Sequence, residues 1–135
     1  MSQANQAVFW KKTYVAEGAI SYGSLLINGT ATNQIKAAAA NSSAVVGVAM
    51  NDAATTESID ACIIGDVYIL DYGGALNRAD RIQVLNTASY YHTAVIGTQG
   101  TDPSFGTVIG DDAATTMDLI LCRVDCSKPP DIATT

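Results

Sequence analysis

The residues of this chain that could carry chemistry are few: one histidine, three cysteines and scattered carboxylates. His92 lies in Tyr90-Tyr91-His92-Thr93, which reads as a strand. A nucleophilic triad needs such a base beside a serine presented on a Gly-x-Ser-x-Gly elbow, and the chain has no such elbow. His92 is therefore read as a half-exposed strand residue. Cys62, Cys122 and Cys126 together with His92 would make four zinc ligands, but the close Cys pair or His pair of a zinc site is missing. An odd number of cysteines in a chain without an export signal implies buried thiols, not a disulfide framework. Asp111, Asp112 and Asp118 offer the hard oxygens a calcium ion wants. Only Asp112 has a counterpart elsewhere, Asp52, and Asp before small residues is an ordinary turn whose side chain bonds its own backbone. Asn28-Gly29-Thr30 and Asn41-Ser42-Ser43 match the glycosylation tripeptide but, without secretion, read only as turns. Gly73-Gly74 lacks the further glycine, lysine and helix that cradle a phosphate. The expectation is a protein that is not an enzyme, with no catalytic residue, no metal and no cofactor.

The elements that would position any site follow from length and pattern. At 135 residues the chain suits one domain with a real core. A net charge of −6 repels phosphate backbones, and the seven basic residues form no stripe with interleaved aromatics, so nucleic acid is not an expected partner. Apolar residues make up 48% of the chain but are scattered among small and polar ones, with no run long enough for a bilayer. Residues 1–5 lack the basic cluster and apolar core of a secretion signal. A soluble protein made in a cytoplasm is expected.

Short apolar runs of period two, broken by Gly, Asn and Asp about every ten residues, predict an all-β domain, a compact barrel or sandwich. Residues 67–70, 82–85 and 94–96 are examples. Asn28-Gly29-Thr30, between Leu25-Leu26-Ile27 and Gln34-Ile35, offers left-handed positions for a tight hairpin. Residues 37–40 are four alanine-rich positions too few for a helix, read as strand or irregular.

Internal similarity is the most informative feature. Asp52-Ala53-Ala54-Thr55-Thr56 recurs as Asp112-Ala113-Ala114-Thr115-Thr116, preceded by Val46-Gly47 and Ile109-Gly110. Alternating strands follow at 58–64 and 117–124, with Cys62 and Cys122 at matching offsets. Upstream, Ala19-Ile20-Ser21-Tyr22-Gly23-Ser24 aligns with Ala75-Leu76-Asn77-Arg78-Ala79-Asp80. The pattern predicts two similar β-modules, about 13–70 and 71–126, sharing one core because neither buries its sheet face alone. The second carries extra residues around 98–105, where Gly100, Asp102 and Pro103 mark an exposed loop.

Over residues 13–125 the chain resembles the small capsid cement, or decoration, proteins of tailed bacteriophages. The resemblance rests on Ile20 with Gly23-Ser24-Leu25-Leu26, then Val46-Gly47-Val48-Ala49 and the acidic-Ala turn Asp52-Ala53-Ala54, then residues 59–64 leading to Gly65-Asp66-Val67. Gly73-Gly74-Ala75-Leu76 with Ala79-Asp80, and a closing Ile109-Gly110, complete it. Two positions depart: Thr56-Glu57 and Ala79-Asp80 stand where the family has Gly-Glu and Gly-Asp. The resemblance implies a β-rich domain without cofactor that binds the outer surface of a capsid in the virion and stabilises it by bridging major capsid protein subunits. It also implies self-association, with a trimer by analogy.

Such binding needs complementary surface repeated many times instead of a reactive group. The candidate contact is an N-terminal arm, residues 1–12, in which a polar leader gives way to Val8, Phe9, Trp10, Lys11 and Lys12. Trp10, the sole tryptophan, would be an anchor filling a pocket of the partner, and the lysines would face acidic rims. The other reading is that Val8, Phe9 and Trp10 begin the first strand and enter the protein's own core. Residues 127–135, with Pro129-Pro130, form a tail that cannot continue a sheet. The rival function is a fibre or adhesin module that binds host carbohydrate through exposed aromatics such as Tyr22, Tyr90 and Tyr91.

Overall fold

Eleven strands and no helix occupy the described residues of this computed structural model, namely 7–39, 44–70, 77–84, 94–96, 103–110, 119–127 and 131–132. The protein is all-β, as its sequence pattern predicts. In chain order the strands are β1 (Ala7–Ala16), β2 (Leu25–Asn28), β3 (Gln34–Ala37), β4 (Gly47–Ala49), β5 (Ser58–Leu70), β6 (Arg81–Val84), β7 (Ala94–Ile96), β8 (Pro103–Ser104), β9 (Gly106–Val108), β10 (Leu119–Asp125) and β11 (Asp131–Ile132). Nine of them form one sheet, while β8 and β11 make a separate two-stranded ribbon.

The first five strands close on themselves. β2 pairs antiparallel with β3 and with β4, β4 with β5, and β5 with β1, and a short parallel contact from Val15 and Ala16 to Gln34 and Ile35 joins β1 to β3. β2 and β3 are the expected hairpin, but its loop spans residues 29–33, and the left-handed residue is Asn33 (φ 67), not Asn28 or Gly29. Ala37 ends β3 and Ala38 is buried beyond it.

β5 runs through both halves of the molecule. Cys62 is paired with Val48 of β4 and Lys11 of β1, so those strands hold its two edges. Two residues on, Ile64 is paired with Trp10 and Asp125: β1 keeps its edge, and β10 has replaced β4. From β10 the sheet continues through β9 and β6 to β7.

The internal repeat is visible in the backbone. Ser24 N–H donates to Ser21 O (3.1 Å) as Asp80 N–H does to Asn77 O (3.0 Å). Gly23 N–H donates to Ala49 O (2.9 Å) and Ala79 N–H to Val108 O (2.8 Å), and Ala49 and Val108 each donate back, to Ser24 and Asp80. Gly23 and Ala79 are both left-handed, at φ 84 and 77. Residues 21–24 and 77–80 are therefore held alike. From this likeness β2 matches β6, β4 matches β9, and the first part of β5 matches β10.

Some of the sequence register does not survive. Ala49 faces Ala61 and Val108 faces Cys122, so the counterpart of Cys122 is Ala61, not Cys62. Likewise Gly47, opposite Leu26, matches Gly106, opposite Ile82, instead of Gly110. The second pentapeptide, residues 112–116, lies outside the described residues. Phe105, expected in an exposed loop, is buried. Asp131 and Ile132 pair with Ser104 and Pro103, so the tail returns to the fold although the main sheet ends before it.

Both halves share one core. Leu25, Leu26, Ile35, Val48, Ile59 and Ile69 from the first five strands lie in one buried cluster with Ile82, Val84, Val108 and Val124. Burying such side chains is worth about 1.5–3 kcal/mol each.

Candidate functional site

Val8, Phe9, Trp10, Lys11 and Lys12 all lie in β1, antiparallel to β5. The pairing is Ala7 with Asp66, Val8 with Gly65, Trp10 with Ile64, Lys11 with Cys62 and Lys12 with Ala61, with register irregularities on both sides of Trp10. Phe9 drops out of the ladder on β1 and Ile63 drops out on β5, which restores the register. On a regular strand neighbouring side chains face opposite ways. The double irregularity instead leaves two successive aromatics in solvent: Phe9 is 76% and Trp10 48% exposed, the large exposed apolar side chains among the described residues. Val8 packs against the core.

The segment thus begins the first strand but does not place its aromatics in the protein's own core. β1 lies close over β5 because residue 65 is glycine. A Cβ there would stand 2.6 Å from the Ala7 carbonyl oxygen and 2.9 Å from Val8 Cα.

The lysines are engaged along the strand. Lys11 Nζ is 3.8 Å from an Asp60 carboxylate oxygen, and the other Asp60 oxygen accepts a 2.7 Å hydrogen bond from the Thr13 hydroxyl. Lys12 Nζ sits 5.4 Å from the centre of the Tyr14 ring, within cation–π range. Asp60 is a member of this site that sequence reading missed. Its only signal was a polar residue in an alternating strand, and its register against β1 was not legible.

The second edge of β1 is the other feature sequence reading missed. β3 covers it at Val15 and Ala16, but between Ala7 and Tyr14 no described strand pairs with it. Two exposed aromatics and an adjacent pair of lysines therefore coincide with an edge that no described strand covers.

Other polar groups brace the fold. Arg123 on β10 forks onto Asp66 on β5, with Nε 2.9 Å and a terminal nitrogen 3.1 Å from the two carboxylate oxygens. Glu17 accepts from the Thr30 backbone N–H and lies 3.9 Å from Lys36; the Thr30 bonds hold its carboxyl below the usual range. Asp52, the acidic residue of the first pentapeptide, accepts a 2.7 Å bond from the Tyr22 N–H, 30 residues away, and not from its own turn as expected. Tyr22 is read as a candidate aromatic for sugar binding; partial burial raises its phenol.

Cys62, Cys122 and Cys126 are all buried, and none is in a disulfide. Burial pushes the Cys62 thiol up to about 11 and the Cys126 thiol to about 12. Among the described residues no group of three or more metal-ligating side chains occurs. Tyr90, Tyr91, His92, Asp111, Asp112 and Asp118 lie outside the described residues.

No protein-family model matches the chain, and no curated protein matches it. Among solved structures, the N base of the head fiber gp8.5 of bacteriophage phi29 is similar, with a TM-score of 0.64 and 17% sequence identity over 88% of this chain and 96% of that one. At that identity the likeness is one of fold: this chain has the architecture of a phage head-fiber base.

Proposed function

We propose that this chain is a structural virion protein of a tailed bacteriophage that seats on the outer capsid surface and stabilises the shell by bridging major capsid protein subunits. The observation that carries the reading is the exposed Phe9–Trp10 pair on β1, in a fold shared with a phage head-fiber base. Aromatics in solvent on a rigid strand are what a docking surface uses as anchors. Further support comes from the two departures from the cement-protein pattern. Thr56 (φ 72) and Ala79 (φ 77) both hold left-handed backbone, the conformation for which glycine is the usual residue. At both departures the backbone has the conformation that a glycine suits. On this reading the protein is not an enzyme and needs no cofactor. Its work is done by contacts repeated over the shell.

The test is co-sedimentation with expanded, undecorated capsids of the same phage. Deleting residues 1–12 would remove half of β1, so Phe9→Ser and Trp10→Ser are the better variants. Saturable binding at a fixed ratio per shell subunit is expected, weakened about 30-fold or more by Trp10→Ser, as for an interface hot spot. No binding by the wild type would overturn the reading.

A second reading is a fibre-type module; its recognition of host carbohydrate would rest on exposed aromatics and not on the head-fiber likeness, which is one of fold. Binding of the isolated protein to a glycan array, with no capsid affinity, would put that reading first.

A further inference from the structure

We propose that the outward face of β6, β9 and β10 binds an acidic segment of a partner protein, one of whose carboxylates is set over Thr107 between Arg81 and Arg123. The site is on other strands than Phe9 and Trp10. It stands apart from the capsid reading, since it names the chemistry of a partner and not a place in a virion.

The row of residues is fixed by the ladder. Arg81 is opposite Thr107, Thr107 is opposite Arg123, and Arg123 is opposite Asp66. Directly opposed residues on antiparallel strands project from the same face of the sheet. Their neighbours along the strands, Ile82, Val108, Cys122 and Val67, all enter the core, so the row points outward. Two ladder spacings put the Cα atoms of Arg81 and Arg123 about 10 Å apart with Thr107 between them, within the reach of two long side chains onto one ligand.

The repeat shows what this row replaces. In the first half β1 leads and the start of β5 closes; in the second the later part of β5 leads and β10 closes. With Ala49 matching Val108 and Ala61 matching Cys122, Val48 matches Thr107 and Cys62 matches Arg123. Leu25, opposite Val48, then matches Arg81, opposite Thr107. In the first half Leu25, Val48 and Cys62 are all 0% exposed. In the second half Arg81 and Thr107 are half-buried and the Arg123 side chain is mostly in solvent. One half covers this row with its own chain, and the other sets two cations along it.

Arg81 is the basic side chain left over. Among the described residues Lys11 and Lys36 lie beside carboxylates, Lys12 lies over Tyr14, Arg78 donates to the Gly110 carbonyl and Arg123 forks onto Asp66. Arg81 has no such partner among them. Asp80, next to it, accepts a 2.7 Å bond from the Asn77 N–H. Asp125, on the same face as Arg123, accepts from the Ser127 N–H and hydroxyl. Asp66, Arg123 and Arg81 thus run negative, positive, positive across the sheet. A single carboxylate over Thr107 would complete the alternation, with the Thr107 hydroxyl beneath it as a donor. Arginine's planar fork of donors suits a carboxylate. A polyphosphate chain suits the row poorly, because the protein carries −6 overall and the row offers only two cations.

The probe is a blocked hexaglutamate peptide, titrated at low salt into the isotope-labelled full chain and followed by NMR. The Nε–Hε signals of Arg81 and Arg123 and the Thr107 amide should shift together and saturate, while the Nε–Hε signal of Arg78, held on Gly110, stays in place. A hexaserine peptide should move none of them. Arg81→Gln should weaken binding about fivefold, the upper end for a solvent-facing ion pair, and leave the urea midpoint unchanged. Shifts spread evenly over Lys11, Lys12 and Lys36, a titration without saturation, or no effect of Arg81→Gln would overturn the proposal. So would a lowered urea midpoint in Arg81→Gln, which would assign the arginine to the fold, or tighter binding of a single-stranded oligonucleotide than of the peptide. A protein that takes the peptide but does not sediment with capsids would sink the capsid reading and leave this site standing.

Discussion

Gly23 and Ala79 occupy the same place in the two halves of the molecule, each left-handed and each donating its N–H across to the short strand of its own half. One position carries the residue that suits this backbone and the other does not. A left-handed residue with a Cβ costs about 1–2 kcal/mol, part of which the greater freedom of glycine in the unfolded chain offsets. Ala79→Gly should therefore stabilise the protein by about 0.5–1 kcal/mol, and Thr56→Gly likewise. Gly23→Ala should cost about 2 kcal/mol or more, because its Cβ would stand 2.8 Å from Leu119 Cδ2 and 3.2 Å from Leu70 N. Urea denaturation measures all three.

Gly65 sets the distance between β1 and β5. With Ala7 O and Val8 Cα in the way of any Cβ, Gly65→Ala should push the start of β1 off the sheet at a cost of about 2–3 kcal/mol. Hydrogen exchange should show the loss of protection at Ala7–Lys12 ahead of the remainder of β5. Equal loss along both strands would contradict this account.

The buried thiols make stability fall in alkali. Cys62 and Cys126 have folded values of about 11 and about 12 against an ordinary 9.0. Below pH 9 the thiol is protonated folded or unfolded, and the full stability is present. Above it the unfolded chain loses its protons first, so stability declines as the pH rises from 9 through 11 and 12. A melting series from pH 7 to 11 should show this fall, and Cys126→Ala should flatten it. In the native protein at pH 8 these thiols should resist a thiol reagent that labels them in denaturant.

Asp66 on the later part of β5 and Arg123 on β10 hold each other with unequal stakes. The Asp66 side chain is 12% exposed and that of Arg123 67%. Removing the arginine strands a mostly buried carboxylate, whereas removing the aspartate leaves a guanidinium in water. Arg123→Ala should lower stability, and do so much less in an Asp66→Asn background. Additive losses would mean that the fork contributes nothing.

The parts of this fold legible in the sequence are those set by local pattern. The β2–β3 hairpin, the strand at 82–84 and the likeness of 21–24 to 77–80 follow from alternation and turn residues a few positions apart. Non-local pairing was not legible. Nothing near Cys62 or Cys122 says that a one-residue difference in register makes Ala61, not Cys62, the partner position. The parallel contact of Val15 with Gln34 and the exchange of β4 for β10 along β5 depend on the whole sheet. At the site, residue types singled out Val8 through Lys12, but the compensating irregularities at Phe9 and Ile63 could not be read. They alone decide that Phe9 and Trp10 both face solvent.

Because β5 serves both halves, the repeat has no seam. A duplicated protein whose copies met at a linker could be cut, permuted or shuffled at the join, and each half would lose only a neighbour. Here any break within Ser58–Leu70 takes the closing strand from one half and the leading strand from the other. The two halves must therefore gain and lose structure in a single transition. On the capsid reading proposed above, the protein would then fail all at once under load, not by peeling open.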